Sequence, residues 1–461
     1  MISSGRYLPF VLLGGLAVAQ QEDLGSKSDK AAQAMSAGRF EEAATLYRQL
    51  NLALPGNAGL LTNLGLALHS AGKHGEALVP LRAALKLDPN SEPAHIFLGL
   101  AHLKLGEPAK AIDPLTRALR ADPANRIVLL ELGDALLSAG RAEEAATHFR
   151  KLTGIDPTHP KAWQGLGLSH LAISRRAFDT LEKTAPDSPY WYVLLAESKA
   201  EQGQYRTAFY LYKKALAASP SIAGVHAALA GIYRKTEHGD WASIEDQKEK
   251  ESRPGRPPNA FLQAKRHGKL ALDAFAHLAA LPPTPEIHEL MAYALRIQKR
   301  HKESAEEFGR AFELDPGNRR LGEEFARSLW LNRDNDAARP LLEKLNLSFE
   351  LGDTLLQLQQ PESAIPHLET AVKRAPARLE PHASLARAYV RVNRYADAVE
   401  HLKIALPLDE DGSLHFQLSR AYERMGQAVE AAQARAKYEV IAAKDEARKQ
   451  ALDQERQITA P

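Results

Sequence analysis

The feature that most constrains the fold of this chain is an internal repeat of 34 residues. Gly72, Gly106 and Gly140 stand 34 positions apart, and proline recurs at the same step from Pro55 to Pro157. A repeat of this length holds two short helices, and one such pair cannot bury its apolar side alone. The sequence therefore predicts helix pairs that become stable by stacking on their neighbours.

Small residues at fixed positions explain how the two helices of a repeat pack. The eighth position is small throughout, as at Gly65 and Ala292, which allows antiparallel helices to approach closely. Glycine near position 15, such as Gly72, ends the first helix in a left-handed conformation. Proline near position 32, such as Pro89, cannot continue the second helix. These positions together predict a helix, a turn, a second helix and a sharp stop.

This pattern resembles the tetratricopeptide repeat family. The resemblance covers nearly all of the chain after residue 23 and implies an all-α fold. That fold is a right-handed superhelical solenoid of antiparallel helix pairs, with about twelve repeats and a long C-terminal capping helix. The repeats begin near residues 24, 58, 92, 126, 160, 189, 223, 285, 319, 345, 379 and 412. The repeat at 58–91 shows the signature most completely, with Leu61, Leu64, Gly65, Leu68, Gly72, Ala77, Leu81, Ala84 and Pro89.

Departures from the repeat predict where the chain divides. Residues 160–188 form a short repeat without the glycine turn, and residues 253–258 are rich in proline and glycine. An amphipathic helix that fits neither half of a repeat follows at 261–281. We therefore predict an N-terminal solenoid at 24–256, an irregular linker with an unpaired helix at 257–284, a C-terminal solenoid at 285–445 and a charged helix end at 446–461.

Residues 1–19 are typical of an export signal. Arg6 supplies the positive charge, a short apolar run follows at 8–19, and Ala17-Val18-Ala19 matches a cleavage motif. Twelve helical residues span about 18 Å, less than the ~30 Å hydrocarbon core of a bilayer. The chain has no cysteine, which excludes disulfides, thiolate metal sites and a lipidated cysteine. We expect a periplasmic or secreted bacterial protein, and an uncleaved membrane anchor is the alternative.

Motifs typical of catalysis are incomplete. His288-Glu289 begins like the helix of a zinc protease, but the second histidine is missing. Gly165-Leu166-Gly167 lies within a repeat helix and does not follow a strand, as a dinucleotide-binding loop would. The net charge of +2 is spread along the chain, which disfavours nucleic acid as a partner. We expect no enzymatic activity, no metal and no cofactor.

Histidines recur at the fourth position of several repeats. Equivalent residues of stacked repeats lie about 10 Å apart, whereas a shared metal needs bonds of about 2 Å to each imidazole. We therefore interpret these histidines as packing residues between helices. They are His95, His226, His288, His382 and His415.

The inner face of the first helices is the candidate binding surface, by resemblance to the family. It is aliphatic in the third to fifth repeats and rich in arginine and glutamate from the eighth repeat onward. Two interpretations stay open: the face binds peptide segments, or its aliphatic residues seal neighbouring helices and its charged residues merely face solvent. The candidate groove residues are Ile96, Leu100, Leu103, Ile127, Leu130, Leu168, Tyr293, Arg296, Arg327, Trp330, Arg387, Arg391 and Arg420.

These features favour a non-catalytic scaffold or adaptor of the cell envelope that binds peptide or helical segments of other exported proteins. An accessory subunit of an envelope polysaccharide or polymer export or assembly system is the alternative. A transferase carried on the repeats is less favoured, because no segment outside the repeats is long enough for a catalytic domain.

Overall fold

The computed structural model describes the backbone of residues 11–253, 255–455 and 457–461, and the side chains of 24–253, 255–444 and 457–461. The first ten residues of the expected export signal lie outside these ranges. Within them the regular elements are helices, and no strand occurs. The all-α class expected from the repeat is confirmed.

Most helices contain 10 to 14 residues, as a helix pair within 34 residues requires. The helices up to residue 218 are α1 (Val11–Ser36), α2 (Phe40–Ala53), α3 (Ala58–Ser70), α4 (His74–Leu87), α5 (Glu92–Lys104), α6 (Pro108–Ala121), α7 (Arg126–Ser138), α8 (Ala142–Ile155), α9 (Pro160–Thr184), α10 (Pro189–Glu201) and α11 (Tyr205–Ala218). The next are α12 (Val225–Lys235), α13 (Gly239–Glu251), α14 (Asn259–Ala279), α15 (Pro285–Ile297), α16 (His301–Leu314), α17 (Arg319–Leu331) and α18 (Asn335–Leu345). The last are α19 (Ser348–Gln357), α20 (Pro361–Arg374), α21 (Leu379–Arg391), α22 (Tyr395–Ala405), α23 (Ser413–Arg424) and α24 (Ala428–Glu455).

Successive helices pack as pairs, from α1 with α2 to α23 with α24. Two long helices, α9 and α14, are not halves of such a pair. The repeat expected at 160–188 is instead the single helix α9, because no glycine turn or proline interrupts it. Eleven helix pairs therefore occur among the described residues, rather than twelve. The helix α14 occurs where an unpaired helix was expected near 261–281, and the long capping helix is confirmed as α24.

The chain divides into two compact units. The first unit comprises Met1–Ile173 and Leu270–Ala274, and the second comprises Ser174–Lys269 and Phe275–Pro461. The division expected at residues 257–284 rests on the repeat pattern and stays a prediction. Below, "first unit" and "second unit" refer to these two sets of residues.

Close packing within a helix pair depends on the small residue at the eighth position. A Cβ atom added to Gly65 would lie 2.4 Å from the Cγ atom of Leu81 on the second helix. One added to Gly133 would lie 2.7 Å from two ring atoms of the fully buried Phe149. A side chain larger than hydrogen therefore cannot enter these pairs without displacing the core.

A buried polar contact supplements packing in three later repeats. His226 Nδ1 lies 2.5 Å from Glu245 Oε2, and His288 Nδ1 lies 2.6 Å from Glu307 Oε2. Each contact joins the fourth position of the repeat to a residue 19 positions later. The same spacing brings His382 within 2.8 Å of His401. These histidines lie between the two helices as expected, and they also form hydrogen bonds there.

The turn between the two helices has a left-handed residue, but it is not always glycine. Gly72 has φ +76°, in the region that glycine adopts without strain. Lys299 occupies the equivalent position of a later repeat with φ +60°. The backbone conformation of the turn is thus retained where the sequence signal for it is lost.

No helix among the described residues has both the length and the apolar character needed to cross a bilayer.

Candidate peptide-binding surfaces

The candidate groove arginines of the second unit lie on first helices of the later repeats. The helices α17, α19, α21 and α23 contact one another in sequence, so their inner residues form one surface. Amphipathic patterning places arginine and glutamate on this side and leaves leucine and alanine for the core. The expected residues therefore share a face, although they do not all share a site.

The first part of this surface neutralises its own charge. Arg296 donates to Glu324 at 2.7 Å and lies 4.8 Å from the ring centre of Tyr293. Arg327 lies 3.4 Å from both Glu324 and Glu350. Because each guanidinium has a carboxylate partner within the chain, these arginines offer little free charge to a ligand.

Asp353 is the centre of the next part of the surface. Trp330 Nε1 donates to its Oδ2 atom at 3.0 Å, and Gln357 donates to the same atom at 2.7 Å. Ser384 donates to the Oδ1 atom at 2.9 Å. Three neutral donors from three helices thus hold this carboxylate in place and join successive repeats.

A cationic pocket lies beside Asp353. We define it by its lining residues and call it the arginine pocket; its volume is about 230 Å³. Arg391 donates to the carbonyl of Leu356 at 2.7 Å, and Arg387 donates to Ser384 Oγ at 3.2 Å. Its lining comprises Arg333, Asp353, Leu356, Gln357, Arg387 and Arg391.

Charge is not balanced in the arginine pocket. Arg333, Arg387 and Arg391 form no ion pair with any carboxylate of the described residues, although Asp353 lines the same pocket. The hydrogen bonds of Arg387 and Arg391 go to neutral oxygens instead. Three guanidinium groups therefore share this site with a single carboxylate, which is itself held by neutral donors.

Two details of the arginine pocket lay beyond the sequence pattern. Arg333 was not expected there because it occupies the turn position, where φ is +60°. Arg420 was expected on the same face, but the structure does not bring it into the pocket; its guanidinium lies 5.8 Å from the ring centre of Phe416. The side chain of Arg333 reaches the inner face because its backbone is left-handed at the turn.

Most of the aliphatic groove candidates of the first unit are only partly exposed to solvent. Ile96, Leu103 and Leu130 are half-buried and pack against the core of α5–α8. Leu100 and Leu168 are also half-buried. The remaining member, Ile127 on α7, is 62% exposed. The half-buried residues therefore seal neighbouring helices, and Ile127 is exposed enough to contact a partner.

Acidic side chains lie on the same stretch of α7. Burial and the negative charge of the neighbouring Glu131 raise the pKa of Asp134 to about 6. The positive charge of Lys161 partly opposes this rise. Burial likewise raises the pKa of Glu131. The Asp134 side chain is nevertheless exposed to solvent, so its hydration is reduced and not abolished. No cluster of three metal-ligating side chains occurs in the described part of the chain.

Comparisons with known proteins agree with this architecture. Models of the tetratricopeptide repeat match residues 65–106, 98–160, 166–221 and 355–415. No curated protein matches the sequence.

Several solved structures resemble the chain at low similarity. The crystal structure of MamA protein is 24% identical over 43% of this chain and 93% of its own, with a TM-score of 0.32. MamA from Desulfovibrio magneticus is 24% identical over 32% of this chain and 83% of its own, with a TM-score of 0.31. A tetratricopeptide repeat protein from Parabacteroides merdae is 15% identical over 67% and 99%, with a TM-score of 0.32. At these TM-scores the structures add no argument about function.

The family models match repeats near both ends of the helical array, and the helix pairs follow the same repeat. Such repeats generally form non-catalytic scaffolds for protein–protein interaction. Residues 65–160, 166–221 and 355–415 are therefore tetratricopeptide repeats.

Proposed function

We propose that this protein is a non-catalytic scaffold of the cell envelope that binds an acidic segment of a partner protein in the arginine pocket. One observation carries the proposal. Arginines of α15 and α17 are paired with glutamates of the same surface, whereas Arg333, Arg387 and Arg391 have no carboxylate partner among the described residues. The unbalanced charge favours an anionic ligand at this point.

The chemistry of the pocket agrees with a carboxylate ligand. Guanidinium groups bind carboxylates through two parallel hydrogen bonds, and such charge-assisted bonds are about twice as strong as neutral ones. The volume of about 230 Å³ is smaller than the roughly 300–1,000 Å³ of sites for whole small molecules. It suits the side chain of one aspartate or glutamate, with the rest of the segment lying along the inner face.

Binding of a fluorescent acidic peptide tests the arginine pocket. The probe is a labelled peptide of alternating glutamate and leucine, and anisotropy measures its affinity at low and physiological salt. Replacing Arg387→Gln and Arg391→Gln together should weaken binding at least tenfold and reduce its salt dependence. The matched control is Arg327→Gln on the same face, whose guanidinium is already paired, and it should change affinity less than threefold. Equal losses in both variants would contradict the assignment.

The location in the envelope rests on separate sequence features. Arg6, the apolar run at 8–19 and Ala17-Val18-Ala19 support an export signal, and the absence of cysteine is compatible with an oxidising compartment. N-terminal sequencing of the protein from the envelope fraction should give a first residue near Gln20. An intact Met1 in the membrane pellet would overturn both the cleavage and the location.

In-cell crosslinking followed by mass spectrometry would then identify the partner. We expect crosslinks from exposed lysines of the second unit, such as Lys373, to an acidic segment of an exported protein. Crosslinks to components that export polysaccharide would instead support the alternative function.

A further inference from the structure

The second unit contains another cleft, which shares no lining residue with the arginine pocket. The turns between α10 and α11 and between α12 and α13 border an open cleft of about 800 Å³. Tyr205, Thr236 and His238 line it from the repeats, and Gln457 and Ile458 line it from the far end of the sequence. We call this site the edge cleft. Residues 457–461 therefore lie against repeats from much earlier in the chain.

A buried hydroxyl group points to a peptide ligand in the edge cleft. Tyr233 is fully buried, and its hydroxyl donates to the backbone carbonyl of Thr459 at 2.5 Å. That carbonyl is its sole hydrogen-bond partner among the described residues. Leaving such a group unsatisfied costs about 1–3 kcal/mol. Burial raises the pKa of Tyr233 to about 12, so the hydroxyl stays protonated and requires an acceptor at neutral pH.

An aromatic wall accepts one apolar side chain next to this carbonyl. Ile458 packs against the core cluster that contains Tyr233, and Tyr205 and Trp241 are partly buried against the same cluster. Trp241 stacks on His238 with ring centres 4.3 Å apart and meets the ring of Tyr233 at 5.6 Å. A hydrogen-bond donor for the backbone beside an apolar wall is the arrangement that recognises a short extended peptide.

We propose that the edge cleft is a binding site for a short extended peptide with a branched apolar side chain, and that residues 457–461 of the same chain occupy it as an intramolecular ligand. Thr459 contributes its carbonyl and Ile458 contributes its side chain. The site shares no residue with the arginine pocket, so the two proposals stand or fall separately.

A single fluorescent label tests this docking, because the chain has no cysteine of its own. Bimane is attached to Ala460→Cys in the full chain, where the nearby Trp241 should quench its emission. Ile458→Asp and Tyr233→Phe should each raise the emission at least twofold, and Trp241→Phe should do so by removing the quencher. The matched control is Thr459→Ala, which retains the backbone carbonyl and should leave the emission unchanged.

Competition and dilution complete the experiment. An unlabelled peptide with the sequence of residues 455–461 should raise the emission at millimolar concentration, and dilution of the labelled protein should not. Unchanged emission in Ile458→Asp would overturn the proposal, as would failure of the peptide to compete. Loss of quenching on dilution would also overturn it, because the segment would then dock on a second copy. None of these results depends on acidic peptide binding at the arginine pocket.

Discussion

The repeats at residues 58–159 and those at residues 285–424 build the same helix pair from different residues. The earlier repeats place glycine against leucine or phenylalanine between the helices, use glycine at the turn and present leucine and isoleucine on the inner face. Most of the later repeats place alanine at the close contact, use lysine, arginine, glutamine or asparagine at the turn and present arginine and glutamate on the inner face.

This difference separates residues that specify the fold from residues that are free to bind. A small residue at the close contact and a left-handed turn occur in both sets, so these two conditions define the helix pair. The inner face changes from aliphatic to charged without loss of the pair. Binding chemistry can therefore vary along the array while the backbone repeats.

The largest effect is expected where the early repeats are most tightly packed. Gly133→Ala places a Cβ atom 2.7 Å from the Phe149 ring, and that ring cannot move away because Gly165 approaches it equally closely from another helix. Overpacking of this kind costs about 1–3 kcal/mol. Urea unfolding measures the loss. Gly75→Ala is the matched control, because nothing lies within 4 Å of its added Cβ atom.

An unchanged unfolding midpoint in Gly133→Ala would break the comparison, because the early repeats would then tolerate alanine as the later ones do.

The inner face of the first unit should show two classes of aliphatic residue. Leu130→Glu places a carboxylate against the core and should cost about 1–3 kcal/mol. Ile127 is on the same helix but 62% exposed, so Ile127→Glu should change stability by about 0.5 kcal/mol or less. Thermal melts of the two variants measure the difference. Equal losses would show that the whole face seals the helices and leaves no surface for a partner.

Sequence patterning was sufficient for the helix pairs but not for the arginine pocket. Leucine, alanine and glycine at fixed positions predicted the packed core because packing within a repeat depends on local spacing. Arg333 was missed because its side chain reaches the inner face only through a left-handed turn that carries no glycine. Spacing along the sequence also did not show that Arg420 lies against Phe416 and does not line the arginine pocket; its place in a peptide-binding groove stays a prediction.

The interruption at α9 was only partly predictable for a related reason. The missing glycine turn at 160–188 was visible in the sequence and predicted a shortened helix pair, whereas the structure has one continuous helix. Their difference depends on tertiary contacts such as the 2.8 Å hydrogen bond from Ser174 Oγ to the carbonyl of Ala264. The two residues are 90 positions apart, so no local pattern reports the contact.

Exchanging the turn residues of an early and a later repeat should change the free energy of unfolding by a smaller amount. Gly72→Lys forces a side chain into the left-handed region and should cost about 1 kcal/mol. Lys299→Gly relieves the same strain, but glycine gains freedom in the unfolded chain, so it should add less than about 1 kcal/mol. Urea unfolding of both variants measures the pair. A loss of stability in Lys299→Gly would show that the lysine side chain, and not its backbone, determines that turn.

The smallest effect concerns the acidic side chains of the first unit and depends on pH. Burial and Glu131 raise the pKa of Asp134 to about 6 in the folded chain, above its ordinary value of 3.8. Between about pH 4 and pH 6 the folded protein therefore holds a proton that the unfolded chain has released. The contribution of Asp134 to stability is present below this range and is lost as the pH rises through it.

Asp134→Asn should consequently raise the free energy of unfolding at pH 7 and have no effect below pH 4. The gain should be about 0.5 kcal/mol or less, because solvent still reaches the side chain. Urea unfolding at both pH values measures it, with Asp113→Asn as the control, since that carboxylate faces solvent beside Arg117. An equal gain at both pH values would mean that the amide packs better than the acid. The ionisation of Asp134 would then contribute nothing to the stability of the aliphatic inner face. That face would differ from the arginine-rich inner face in shape and not in charge.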